Sequence, residues 1–196
     1  MIGRGAAEND LVFGGLLVVF RGNMKSCSFF GHRDTPQTEE LKQKVKETLE
    51  CLIVEEGVDT FLFGSRSNFD ELCHIVVTEL KEKYPYIRRI AYLCKHETGC
   101  LVGTGMELKR KIKEITGRDT YVAEYEEIKK SDRVNSAGRA SYKERNYWMV
   151  DASDFSIIYL SKRLGHQKKI SGTKIIYHYL IKQKRIKIIN LAEGEV

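Results

Sequence analysis

The sequence predicts a three-layer α/β domain, with a mostly parallel sheet of about six strands and helices on both faces. Three observations lead there. Short apolar runs, two of them ending in glycine, alternate with segments whose apolar residues recur at helical spacing. A length of 196 residues suits one domain with a full hydrophobic core. Apolar content of 42% and charged content of 31% are those of a water-exposed globular chain.

The elements follow in order. "KSCSFFG" (25–31) is an apolar run ending in Gly31, a buried-strand signal. Pro36 precedes a helical pattern carried by Leu41, Val45, Leu49, Leu52 and Ile53. "DTFLFG" (59–64) repeats the strand signal, and Phe69, Leu72, Cys73, Val76, Val77 and Leu80 mark a second helix that ends before Pro85. "IRRIAYLC" (87–94) is the third strand, and "MELKRKIKEI" (106–115), stopped by Gly117, the third helix. "TYVAEYEEI" (120–128) predicts a short fourth strand. Beyond it "RASYKERNYWMVDAS" reads as a helix, "DFSIIYLS" as a strand, "TKIIYHYLIKQ" as a helix and "RIKIINLA" as a sixth strand. Repeats and low-complexity linkers are absent. The apolar run "LVFGGLLVVF" (11–20) is too short to span a bilayer, which takes about 20 helical residues, and Glu8 and Asp10 stand where a signal peptide would be basic. Residues 1–23 therefore read as an N-terminal extension, either upstream residues or an extra strand, and residues 24–196 as a single domain.

Net charge is +6, and it is unevenly placed. Between Phe155 and Ala192 there are nine Lys or Arg and no Asp or Glu. This basic segment suits an anionic partner, a nucleotide phosphate or a nucleic acid, and equally suits a solvated Lys-rich surface. The five cysteines form no CxxC pair, and their number is odd. That pattern fits reduced, mostly buried thiols in a cytoplasmic protein. Cys94, His96 and Cys100 lie close together but lack a fourth ligand at zinc-site spacing, so no metal is expected.

A parallel α/β sheet binds ligands outside the carboxyl ends of its strands, so the residues just after each strand matter most. After the first strand, Gly31 permits a tight turn or close approach, and His32 and Arg33 stand at the carboxyl edge, Arg33 suited to gripping a phosphate. Asp34 serves as a turn residue or as a partner for Arg33. After the second strand, Gly64, Ser65 and Ser67 would bare N–H groups at a helix terminus, with Arg66 between the serines. Ser67 and Asp70 fit a capping box; Asp70 also suits ribose hydroxyls. The "GTG" at 103–105 is a loop signal. In "AGRASYKERNYWMVDASD" (137–154), Arg139 and Arg145 are six apart and face different sides of a helix. Tyr142, Tyr147 and Trp148 suit either base stacking or the core. Arg145 stands out, because a half-buried guanidinium needs an anion, whether a ligand or Glu144 or Asp151. Ser171, Gly172 and Thr173 open the last helix with Lys168, Lys169 and Lys174 around them, which is either a phosphate cradle or ordinary N-capping.

Taken in order, "CSFFGHRDTP", "FLFGSRSNFDEL", "RASYKERNYWMVDASDFSIIYL", "SGTKIIYHY" and "KIINLA" resemble the SLOG superfamily of Rossmann-like proteins, over roughly residues 25–192. The superfamily takes its name from the Smf/DprA DNA-processing proteins and the Lonely Guy phosphoribohydrolases. Within it the chain is similar to small bacterial proteins with a "GHR" after the first strand. The resemblance implies a cytoplasmic protein that binds a nucleotide or nucleotide-derived ligand and often forms homodimers or higher homo-oligomers. Lonely Guy enzymes cleave the N-glycosidic bond of nucleoside monophosphates with an Arg and with a Glu in P-G-G-x-G-T-x-x-E. Arg145 matches that Arg, but Asn146 replaces the Lys after it. Aligning Gly172 and Thr173 with the Gly-Thr puts Ile176 at the Glu and Lys168, Lys169 and Ile170 at the Pro-Gly-Gly. Glycosidic cleavage needs a carboxylate to stabilise a cation-like sugar and steer water, and isoleucine does neither.

The expected function is therefore a sensor or sequestering protein for a nucleotide-derived small molecule, without catalysis, added cofactor or membrane attachment. Gly31, His32, Arg33, Gly64, Ser65, Arg66, Asp70, Arg139, Arg145, Ser171, Gly172 and Thr173 form the expected binding set. One alternative is a nucleotide N-glycosidase with a relocated carboxylate, drawing on Arg145, Glu144, Asp70 and Glu71. The other is a single-stranded nucleic-acid binder using the basic 162–187 region.

Overall fold

The computed structural model describes residues 10–13, 16–19, 24–64, 67–94, 101–102, 124–130, 139–161 and 171–192. Ten strands run through them: β1 (Asp10–Phe13), β2 (Leu16–Val19), β3 (Lys25–Gly31), β4 (Val58–Phe63), β5 (Arg88–Leu93), β6 (Leu101–Val102), β7 (Glu124–Tyr125), β8 (Glu127–Lys130), β9 (Phe155–Tyr159) and β10 (Lys187–Asn190). The described helices are α1 (Glu39–Val54), α2 (Asn68–Lys83), α3 (Arg139–Asp151) and α4 (Gly172–Leu180).

Six strands form one sheet in the order β10-β9-β3-β4-β5-β8, and every pairing within it is parallel. This bears out the predicted α/β architecture. The predicted third helix (106–115) lies outside the described residues. The fourth sheet strand differs from expectation. Of the expected 120–128, residues 120–123 lie outside the described residues, 124–125 form β7, and the sheet strand is β8, which starts at Glu127 and runs on to Lys130. Near the amino terminus, β1 and β2 pair antiparallel in a separate two-stranded sheet, and β6 and β7 pair parallel in another.

Residue alternation divides the sheet into two faces. Cys27, Phe29, Phe61, Phe63, Phe155 and Ile157 pack with α1 and α2. Phe30, Leu62, Ile90, Tyr92 and Ile158 pack with Met149 and Val150 of α3 and with Ile176 and Leu180 of α4. Each central strand is buried on both faces, which explains its nearly continuous apolar run. The helices begin on side-chain caps. Thr38 Oγ1 accepts from Leu41 N at 3.2 Å, Ser67 Oγ from Asp70 N at 3.1 Å, and Ser171 Oγ from Lys174 N at 3.2 Å. Gly57, with φ of 71°, makes the left-handed turn between α1 and β4.

A polar network ties α2 to the β5–β8 edge. Arg89, whose side chain is 7% exposed, donates to Glu126 at 2.6 Å and to Thr78 Oγ1 at 2.9 Å. His74, one turn earlier on α2, is 2.8 Å through Nε2 from the Glu124 carbonyl. That partner only accepts, so Nε2 carries the proton. Burial, the largest cause, and the nearby Arg89 cation hold the His74 pKa down at about 4, against an opposing hydrogen bond to Glu124.

Candidate functional site

Strand order reverses between β3 and β9: β4, β5 and β8 lie on one side of this boundary, and β10 on the other. A parallel sheet opens a crevice at such a boundary, at the carboxyl ends of the strands. Gly31 and Tyr159 are register partners there. Gly31 is glycine because α2 packs directly against it. A Cβ on Gly31 would lie 2.5 Å from Phe69 Cγ. Phe69 in turn meets Tyr159, with ring centroids 5.7 Å apart.

His32 follows Gly31 and is only 9% exposed. Its Nε2 is buried and has no hydrogen-bond partner among the described residues. Desolvation lowers its pKa, and the Asp34 carboxylate partly offsets this. The loop around it is held in place. The His32 carbonyl accepts from Thr35 Oγ1 at 2.8 Å, and the Arg33 carbonyl accepts from Asn68 N at 3.2 Å. Arg33 itself is exposed beside the crevice.

Gly64 closes β4 on the face that carries α3. A Cβ there would stand 2.5 Å from Met149 Sδ and 3.1 Å from both Arg145 Nε and the Tyr92 carbonyl oxygen. The missing side chain thus lets Arg145 lie against the strand end. Arg145 is 2% exposed, donates to Asn146 Oδ1 at 3.1 and 3.2 Å, and sits 5.2 Å from the Tyr142 ring centroid. Ser141, Arg145 and Met149 form the buried stripe of α3. Of the aromatics considered for base stacking, Trp148 packs edge-on against Tyr92 at 4.6 Å and Tyr147 packs on Tyr179 at 4.2 Å. Tyr142 is 41% exposed.

Of the helices that begin at the carboxyl edge, α2 and α4 differ in the chemistry of their amino termini. At α2, Asn68 N and Asp70 N already have acceptors, and Asp70 and Glu71 place negative charge in the first turn. The charge this terminus favours is supplied by the protein itself, so an anion is better served elsewhere. Asp70 is buried at 5% exposed. At α4 the first turn has no acidic residue. Ser171 caps Lys174 N, its carbonyl takes Ile175 N, and the N–H groups of Gly172 and Thr173 have no intrahelical acceptor by position. Gly172 is exposed, and no atom lies within 4 Å of where its Cβ would be; Thr173 is buried.

The expected residues therefore divide. Gly31, His32 and Arg33 sit at the β3 end, Gly64 and Arg145 at the β4 end, Asp70 and Glu71 on the first turn of α2, and Ser171, Gly172 and Thr173 at the start of α4. Glu144 is exposed on α3. Ile176, on α4 one turn after Gly172, is 1% exposed in the core. Ser65 and Arg66, the side chain of Arg139, and the zinc candidates His96 and Cys100 lie outside the described residues. Tyr159 and Asn190 were not anticipated. Asn190 Oδ1 accepts from Leu160 N at 3.1 Å and from Ala192 N at 3.2 Å, fixing the strand end just past Tyr159. Neither residue belongs to a recognisable local pattern; only the sheet order brings them to the edge. Compared with protein-family models and with curated proteins, the chain matches none.

Proposed function

We propose that this protein binds a phosphate-bearing, nucleotide-derived small molecule in the crevice between β3 and β9, and that it senses or sequesters the ligand without cleaving it. The observation that carries this reading is His32. A nine-tenths buried imidazole whose Nε2 has no partner among the described residues costs stability, and at the boundary of a parallel sheet a ligand is its natural complement. Support comes from the acid-free amino terminus of α4, where the helix dipole and amides without intrahelical acceptors favour an anion, and from Arg145 lying against Gly64. The sequence resemblance to SLOG proteins points the same way, towards a bacterial, cytoplasmic, self-associating nucleotide binder. Ile176, buried in the core, offers no carboxylate for glycosidic chemistry. No described helix is long and apolar enough to cross a membrane.

The test is mass spectrometry of small molecules released from purified protein, with calorimetry against a panel of nucleoside monophosphates and dinucleotides. Binding without release of free base is expected, weakened at least tenfold by Arg145→Met. Release of free base would replace this reading with the glycosidase. Failure of every member of the panel to bind, with no co-purifying ligand, would remove it.

A further inference from the structure

His32 has a second consequence for the same site, resting on the carboxyl edge being where ligand binds. Its imidazole is shut away from water, and its backbone is pinned through the Thr35 hydroxyl and, at the next residue, through Asn68 N. The loop that carries the ring is thus fixed at the end of β3. The charged or ionisable groups on the elements that meet at this edge of the sheet are Arg33 and Asp34 on its own loop, Asp70 and Glu71 on α2, Arg145 on α3, Lys174 on α4 and Tyr159 on β9. Among these only the Asp34 carboxylate acts on His32 to favour its charged form, and burial outweighs it. Protonation of this imidazole is thus opposed mainly by lack of solvation. An anion within hydrogen-bond distance removes that obstacle by solvating the imidazolium directly.

We propose that a bound anion supplies the partner that His32 Nε2 lacks among the described residues, and that binding is accompanied by transfer of a proton from solvent to this imidazole. The site would then bind more tightly as pH falls. Affinity changes at most about tenfold per pH unit, the limit for a single linked proton, and levels off where the imidazole has the same charge in free and bound protein. A nucleotide sensor built this way would also report acidification.

The measurement is a pH titration of the histidine ring resonances by nuclear magnetic resonance, with and without saturating adenosine 5′-monophosphate. It reads the ring itself, so titration of the ligand phosphate does not interfere. The His32 resonances, assigned by their loss in His32→Gln, should titrate at higher pH with the nucleotide present. Calorimetry in two buffers of different ionisation heat should show proton uptake on binding, lost in His32→Gln. If the nucleotide shifts the amides of Gly172 and Thr173 but leaves the His32 titration unchanged, proton linkage is overturned and the binding site stands. Uptake that persists in His32→Gln also overturns it. If no resonance at the carboxyl edge responds, both the linkage and the nucleotide-binding reading fall.

Discussion

Phe69 occupies the space a side chain on Gly31 would need: a Cβ there would come within 2.5 Å of Phe69 Cγ and closer still to its Cβ. Phe69 is fully buried and backed by Tyr159, so it has no flexible end to swing aside. Gly31→Ala should therefore cost about 1–3 kcal/mol through overpacking. Urea denaturation measures this. A loss under about 0.5 kcal/mol would mean that α2 slides freely over the strand end.

Gly172 gives the opposite balance. It is helical and has open space where its Cβ would be. Gly172→Ala should leave stability unchanged or raise it by about 0.5 kcal/mol, since alanine favours the helix. If a phosphate approaches this amide, the same change should weaken nucleotide binding at least tenfold. A variant that gains stability and keeps full affinity would move the anion away from α4.

His74 predicts an acid weakness. Its folded pKa of about 4 lies below the ordinary 6.5. Between these values the unfolded chain binds a proton that the native ring refuses, so stability falls as pH drops through the window and is unaffected above it. The loss approaches about 3 kcal/mol at the acid end. In His74→Gln, which can still donate to the Glu124 carbonyl, this part of the slope should vanish from denaturation curves taken across the window.

Glu126→Gln leaves the buried Arg89 guanidinium without its counter-charge. The Glu126 side chain is 28% exposed, so the cost should sit near the low end for a broken buried pair, about 3 kcal/mol. Arg89→Met combined with Glu126→Gln should recover most of it. A double variant as unstable as the single one would show that Thr78 and His74, rather than the ion pair, depend on Arg89.

These cases show what was legible in the sequence. The central strands announced themselves because burial on both faces makes them apolar throughout, and β3 runs over the predicted 25–31. The edge strand β8 was reached only at Glu127 and Ile128, and its last two residues, Lys129 and Lys130, carry no apolar signal. Gly31 was readable as a close approach, but the neighbour that demands it, Phe69, is set by how α2 returns over the sheet. The α2 terminus carried both an anion motif and its own counter-argument in Asp70 and Glu71, and only the hydrogen bond from Asn68 N to the Arg33 carbonyl shows how fully that terminus is occupied. The link from Arg89 to Glu126 joins residues 37 apart and leaves no local pattern.

The central strand β3 pairs with β4, which follows it closely, and with β9, reached only after a sequence separation of 128 at the Ser28–Ser156 hydroxyl contact. As the chain emerges during synthesis, β3, β4 and β5 can assemble while one flank of β3 waits as an open edge. That edge is a risk for mispairing until β9 arrives, and closing so long a loop is slow. The pairing of β3 with β9 thus forms late, and only β10 is added to the sheet after it. A ligand that bridges the crevice between β3 and β9 would hold the two halves of the chain together, and should slow their separation more than it slows fraying at either outer strand.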